Sequence, residues 1–165
     1  MKITNQFKSL KSEKLQTYFS NKLQLADILE WILEQTGPAS LYITTFSTSE
    51  EFLRRVYRIR SKGLIKSATL LVDLKASKKT LNLYAFIANV FDTVYLADNH
   101  SKVALIFNDY WHISIITSQN NTRGNRAECG MLSTDLLIFS DLLTSIKDFE
   151  QNNSISINDL LDRTT

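Results

Sequence analysis

Two short apolar runs, Val103–Phe107 and 111–117, stand three residues apart, and Asn108 and Asp109 between them have turn chemistry. Runs of this length are too short for helices, and so brief an interval leaves an antiparallel hairpin as the expected arrangement. A hairpin returns the end of its second strand beside the start of its first. The residues just before Val103 are therefore brought next to those just after Thr117. On the first side are His100 and Lys102, two apart and so projecting from the same face of an extended segment. On the second is a polar loop with Ser118, Asn120, Arg123 and Arg126, followed by Glu128 and Gly130. His100, Lys102, Ser118 and Asn120 are expected to converge at one end of a sheet.

Elsewhere the pattern alternates. Segments 41–46, 68–72 and Thr93–Ala97 are apolar and β-branched and read as strands. Ser47-Thr48-Ser49 before Glu50 and Glu51 makes an N-cap, and Gly63 a stop, so a helix with Phe52, Leu53, Val56 and Ile59 inward lies between them. Segment 79–91 reads as a further helix, apolar nearly all round. Leu15, Tyr18, Phe19, Leu23 and the run from Leu25 to Leu33 recur at helical spacing, which predicts an N-terminal helix over 13–35, ended by Gly37-Pro38. Ser133-Thr134-Asp135 can cap a last helix with Leu136, Phe139, Leu143 and Ile146 on one face, and 151–165 reads as a polar, mobile tail. The expectation is an α/β domain over 1–150, with a mixed, mainly parallel β-sheet flanked by helices.

Composition narrows the function classes. With 165 residues, 44% of them apolar, one domain has room for a core. A net charge of +2 is too mild to announce a nucleic-acid binder by itself. Cys129 is the only cysteine, which excludes an internal disulfide and a cysteine-rich metal site; it reads as a small buried filler. No apolar run is long enough to cross a bilayer and no signal-peptide pattern is present, so a cytoplasmic protein is expected. Arg54, Arg55, Arg58, Arg60 and Lys62 crowd one helix and read mostly as its solvated outer face, and His112 reads as structural.

The combination H-x-K, strand pair, then T-S-x-N-N-T-R-x-N-R-x-E-x-G resembles the phospholipase D superfamily, and within it the nuclease branch that carries one H-x-K per chain. The family's aspartate seven residues after the histidine falls on Phe107 here. In this the chain is similar to superfamily members, metal-independent restriction endonucleases among them, that rely on His, Lys, Asn and a later Glu. The resemblance implies a phospholipase D-like fold and a site of His100, Lys102, Ser118, Asn120 and Glu128. It also implies a phosphohistidine intermediate and no metal or cofactor. Since that mechanism uses two histidines, a two-fold homodimer would pair the sites.

The residue types suit such chemistry. Histidine can act as nucleophile or general acid near neutrality, lysine supplies a cation, and asparagine an amide donor. A glutamate behind the histidine can hold its tautomer. Arg123 and Arg126, in the adjoining loop, are candidates for phosphate contacts. The expected partner is nucleic acid, DNA before RNA, with no membrane association. A catalytically degenerate module that binds nucleic acid or a protein is the alternative, and a lipid phosphodiesterase a weaker third.

Overall fold

The computed structural model describes residue 3 and residues 6–122 and 126–162. Its centre is an eight-stranded sheet whose strands lie side by side in the order Leu15–Ser20, Glu128–Ser133, His112–Thr117, Val103–Phe107, Ala39–Thr45, Ile65–Asp73, Thr93–Ala97 and Ser154–Ser156. In chain order the elements are β1 (Leu15–Ser20), α1 (Leu25–Thr36), β2 (Ala39–Thr45), α2 (Glu50–Ser61) and β3 (Ile65–Asp73). A 3-10 turn over Leu74–Ala76 leads to α3 (Ser77–Asn82), α4 (Tyr84–Ile87) and β4 (Thr93–Ala97). The chain continues through β5 (Val103–Phe107), β6 (His112–Thr117), β7 (Glu128–Ser133), α5 (Leu136–Asn153), β8 (Ser154–Ser156) and α6 (Ile157–Asp162).

The sheet is mixed, but the expectation that it is mainly parallel needs correction. Among the described residues only β2–β3 and β3–β4 pair in parallel; the other five strand pairings are antiparallel. A parallel neighbour needs a crossover long enough to return the chain to its starting end. Helical crossovers of that kind join only β2 through α2 to β3, and β3 through α3 and α4 to β4. The remaining strands arrive by a hairpin, a loop or the terminal segments.

Alternation along each strand sorts the core into two layers. Leu41, Ile43, Leu70, Val72, Ala104 and Ile106 face the layer filled by Ile28, Leu29 and Ile32 of α1 and Leu53 and Val56 of α2. Each of the leucine, isoleucine and valine side chains buried there contributes about 1.5–3 kcal/mol. Tyr42, Leu71, Val103 and Leu105 face the other way, under Phe139, Leu142, Leu143, Ile146 and Phe149 of α5. The Tyr42 hydroxyl donates to the buried Glu150 carboxylate, which Lys147 also meets at 3.1 Å, tying the end of α5 to β2.

Three further segments differ from expectation. Residues 13–35 are not one helix: β1 comes first, pairing antiparallel with β7, and α1 starts only at Leu25. Leu15, Tyr18 and Phe19 mimic helical spacing, yet Tyr18 is buried while Leu15 and Phe19 face outward, the alternation of a strand. Segment 79–91 is broken into α3 and α4 rather than a single sandwiched helix. Nor is 151–162 a loose tail. Residues 154–156 add a strand to β4, and Ile157 is 2% exposed in the main core; residues 163–165 lie outside the described residues. The basic face of α2 is largely ion-paired: Arg54 with Glu50, Arg55 with Asp27 (2.5 Å), Arg60 with Asp92 (2.6 Å) and Lys62 with Glu30 (2.6 Å). Among the described residues no helix is long and apolar enough to cross a membrane.

Candidate active site

The hairpin places His100 and Lys102 where the sequence puts them, just before β5 and opposite the exit of β6. The Thr117 backbone N–H donates to the Lys102 carbonyl at 3.0 Å, so the ladder continues one pair past the strand. The Lys102 ammonium lies 2.9 Å from His100 Nδ1 and 2.7 Å from the His100 carbonyl oxygen. When a charged lysine donates to Nδ1, the neutral ring must carry its proton on Nε2. The imidazole is exposed, its centroid 5.3 Å from the Phe46 ring at the end of β2.

Beneath His100 is a polar network that the motif does not contain. Asp73, at the end of β3 and 2% exposed, accepts from the Asn99 N–H at 2.8 Å and the Lys75 N–H at 2.7 Å. Asn99 in turn donates to the Thr45 carbonyl at 3.1 Å and accepts from the Ser101 N–H at 3.1 Å. The Ser101 hydroxyl reaches Thr44 Oγ1 at 2.7 Å. Residues on both sides of His100 are therefore fastened to the ends of β2 and β3. The only sequence signal for this was an acid directly following an apolar strand.

The other wall is the loop after β6. Ser118 hydrogen-bonds through its hydroxyl to the Glu128 carboxylate and accepts from the Cys129 N–H at 3.1 Å, while its own N–H donates to the Cys129 carbonyl at 2.9 Å. Glu128 is thus held against Ser118 rather than behind His100, as the tautomer-holding role would require. Asn120 is partly buried, lines a small cleft with Leu25, Phe52 and Arg55, and its Oδ1 has no partner among the described residues, where it makes no hydrogen bond to His100 or Lys102. Arg126 is exposed, and Arg123 lies outside the described residues. Cys129 is exposed, not a buried filler, because it sits on the open face of β7. His112 packs edge-on against Phe139 with centroids 5.1 Å apart, a structural placement.

Buried polar contacts hold this loop in place. Gln119 donates to the Leu23 carbonyl at 2.9 Å and the Tyr18 hydroxyl at 3.2 Å, and accepts from the Leu25 N–H at 2.8 Å, at the start of α1. The Tyr18 and Thr117 hydroxyls are 2.6 Å apart. Burial pushes the Tyr18 phenol up to about 12, so it stays protonated and can donate at any physiological pH.

Phe107 is placed at the far end of β5 from His100. Seven residues of extended chain span roughly 20 Å, so position 107 cannot share a phosphate with His100. The ring packs against Phe139 with centroids 5.6 Å apart. The departure from the motif is a packing substitution remote from the site.

Electrostatically the site turns on Lys102. Burial lowers its pKa, and the negative charge of Glu128 acts in the opposite direction. Glu128→Gln removes the opposing influence, so the amine should lose its proton at a lower pH. If the ammonium is needed for turnover, the alkaline limb of the pH–rate profile is expected to move to lower pH in that variant. An unmoved limb would show that the charge of Lys102 does not limit the rate.

No protein-family model and no curated protein sequence matches the chain. Solved structures do. Nuc from Salmonella typhimurium, a phospholipase D family member, superposes with a TM-score of 0.64 at 16% identity, over 86% of this chain and 96% of that one. NucT from Helicobacter pylori gives 0.61 at 16%, over 87% and 100%. Polyphosphate kinase from Porphyromonas gingivalis gives 0.65 at 14%, over 88% of this chain and 28% of its own. With the H-x-K segment, the strand pair and the Ser118–Glu128 pair at one sheet end, this chain has the phospholipase D fold.

Proposed function

We propose that this chain is a cytoplasmic, metal-independent phosphodiesterase that cleaves nucleic acid, DNA before RNA, at a site completed by a second copy of itself. The observation that carries the reading is the placement of His100 and Lys102, in contact, at the sheet end that also holds Ser118 and Glu128. A phosphate is the better partner for the Lys102 ammonium, and as it leaves Nδ1 the imidazole is free to take its proton there. The Nε2 lone pair then attacks phosphorus, forming a P–N bond as the P–O bond to the leaving group breaks. The partner's His100 gives its proton to the departing oxygen. It then takes a proton from water, which attacks phosphorus and breaks the P–N bond. Lys102 and the Asn120 amide would hold the non-bridging oxygens, and Arg126, with Arg123, the flanking phosphates.

An uncovered apolar strip supports the second copy. On the α5 side of the sheet, β1, β7 and the Ile116 end of β6 present exposed side chains, and cross-strand neighbours there share one face. Phe19 (75% exposed) pairs with Cys129, Thr17 with Met131, and Met131 with Ile116 (38% exposed). Leu15 and Leu137 are also exposed. The strip adjoins the end of β7 that carries Glu128. Phe19→Asp puts a charge in this strip while leaving the core side of β1 untouched. It is expected to convert a dimer to a monomer by light scattering and to remove phosphodiester hydrolysis. A wild-type protein that is monomeric and hydrolyses diesters would end the shared-site reading.

A further inference from the structure

Between α5 and the sheet end lies a groove of about 350 Å³ that opens directly beside His100. This is within the range of ligand pockets, about 300–1,000 Å³. Leu71 and Val103 form its floor, and Leu142, Ile146 and Phe149 of α5 its wall. His100 lines the groove itself, so a phosphoryl group on that imidazole has one ester arm at the groove mouth.

The lining restricts what that arm can be. Among the described residues neither lysine nor arginine lines the groove, and the one ionisable side chain besides His100 is the acid Asp98 at the rim. A second phosphate is therefore disfavoured, and an uncharged group with apolar faces is favoured. Asp98 is 86% exposed on its side chain, and its ion pair to Lys75 is long at 3.8 Å, which leaves carboxylate oxygens open to a donor. An alkyl arm has no donor to offer. A nucleobase has apolar faces for the walls and N–H groups on its edge for Asp98.

We propose that this groove is a base-binding subsite, which takes one unstacked nucleobase while the adjoining phosphate rests on His100 and Lys102. The proposal builds on the reading of His100 as the residue that meets phosphorus, and its test is chosen to be independent of turnover. Ser145 lines the groove from an exposed position on α5, so Ser145→Trp fills the space without disturbing the core.

Calorimetric titration of the full chain with methyl phosphate, thymidine 5′-monophosphate and octyl phosphate separates the possibilities. The nucleotide is expected to bind about tenfold or more tightly than methyl phosphate, the scale of one base packed on apolar side chains. Ser145→Trp is expected to erase that difference. Equal binding of the nucleotide and methyl phosphate overturns the proposal, as does undetectable binding of all three. A preference that survives Ser145→Trp overturns it too, and tighter binding of octyl phosphate reassigns the groove to alkyl chains. Base discrimination in a protein that hydrolyses no diester would sink the phosphodiesterase reading and leave the subsite standing. Hydrolysis without discrimination would do the reverse.

Discussion

His100→Ala is expected to lower phosphodiester hydrolysis by about 10³-fold or more, while the wild-type protein works undiminished in EDTA. The size follows from what the substitution removes in a paired site. Both copies lose their imidazole at once, so the nucleophile that forms the P–N bond and the acid that protonates the leaving oxygen disappear together. Lys102 and Asn120 could still bind a phosphate, but binding alone does not make a leaving group depart. The fold should be little affected, because the ring is exposed and Phe46 is its aromatic contact. Hydrolysis of single-stranded DNA, duplex DNA and RNA, measured in EDTA on both proteins, checks this. Cleavage that persists in His100→Ala would remove the proposed mechanism. Nucleic-acid binding by a wild type that cuts nothing would hand the fold to the binding-module reading.

Gly130→Ala should destabilise the protein by about 1–3 kcal/mol, the usual cost of forcing a carbon into a filled space. Gly130 pairs directly with Tyr18 across β1 and β7, and the phenol ring lies over it. A Cβ there would sit 2.5 Å from Tyr18 Cε1 and 2.8 Å from both Cζ and the hydroxyl oxygen. The ring has little freedom to retreat. Phe7 packs against it edge-on at 5.8 Å, and its hydroxyl is held by Thr117 and Gln119. At about 2–4 °C per kcal/mol for a chain of this size, the melting temperature should fall roughly 5 °C. Displacing Tyr18 also loosens Thr117 and Gln119, which flank Ser118, so activity should fall with stability. A double-mutant cycle isolates the cause: in a Tyr18→Ala background, Gly130→Ala should cost far less. An unchanged melting temperature for the single variant would show that β1 does not lie on β7 as described.

These two positions differ in how readable they were. His100 and Lys102 were legible because an H-x-K before an apolar run, with Ser118 and Asn120 after the returning strand, is a local pattern joined by one short turn. Gly130 stood in the same motif, but its partner Tyr18 lay within a segment that reads as helical. Leu15, Tyr18, Phe19 and Leu23 satisfy the helical period by coincidence, and six residues are too few to distinguish it from alternation. Likewise Ser154-Ile155-Ser156 offers three residues of alternation inside a polar stretch, and only pairing with Leu96 and its neighbours makes it a strand. Glu128 was singled out by the motif, but its contact was not foreseen: spacing alone does not say whether it meets His100 or Ser118.

Local sequence alone determined the hairpin, the capped helix after Ser49 and the strands of the central crossovers. Each is set by periodicity and turn chemistry within about a dozen neighbouring residues. Tertiary structure decided the two sheet edges, the dominance of antiparallel pairing and the residues that hold the site in place. Asp73 acts on Asn99, 26 residues away, and Gln119 on Leu25, 94 residues away. An edge strand and a buried polar support are defined by partners remote in the chain, and a short segment carries no local energy term that names those partners.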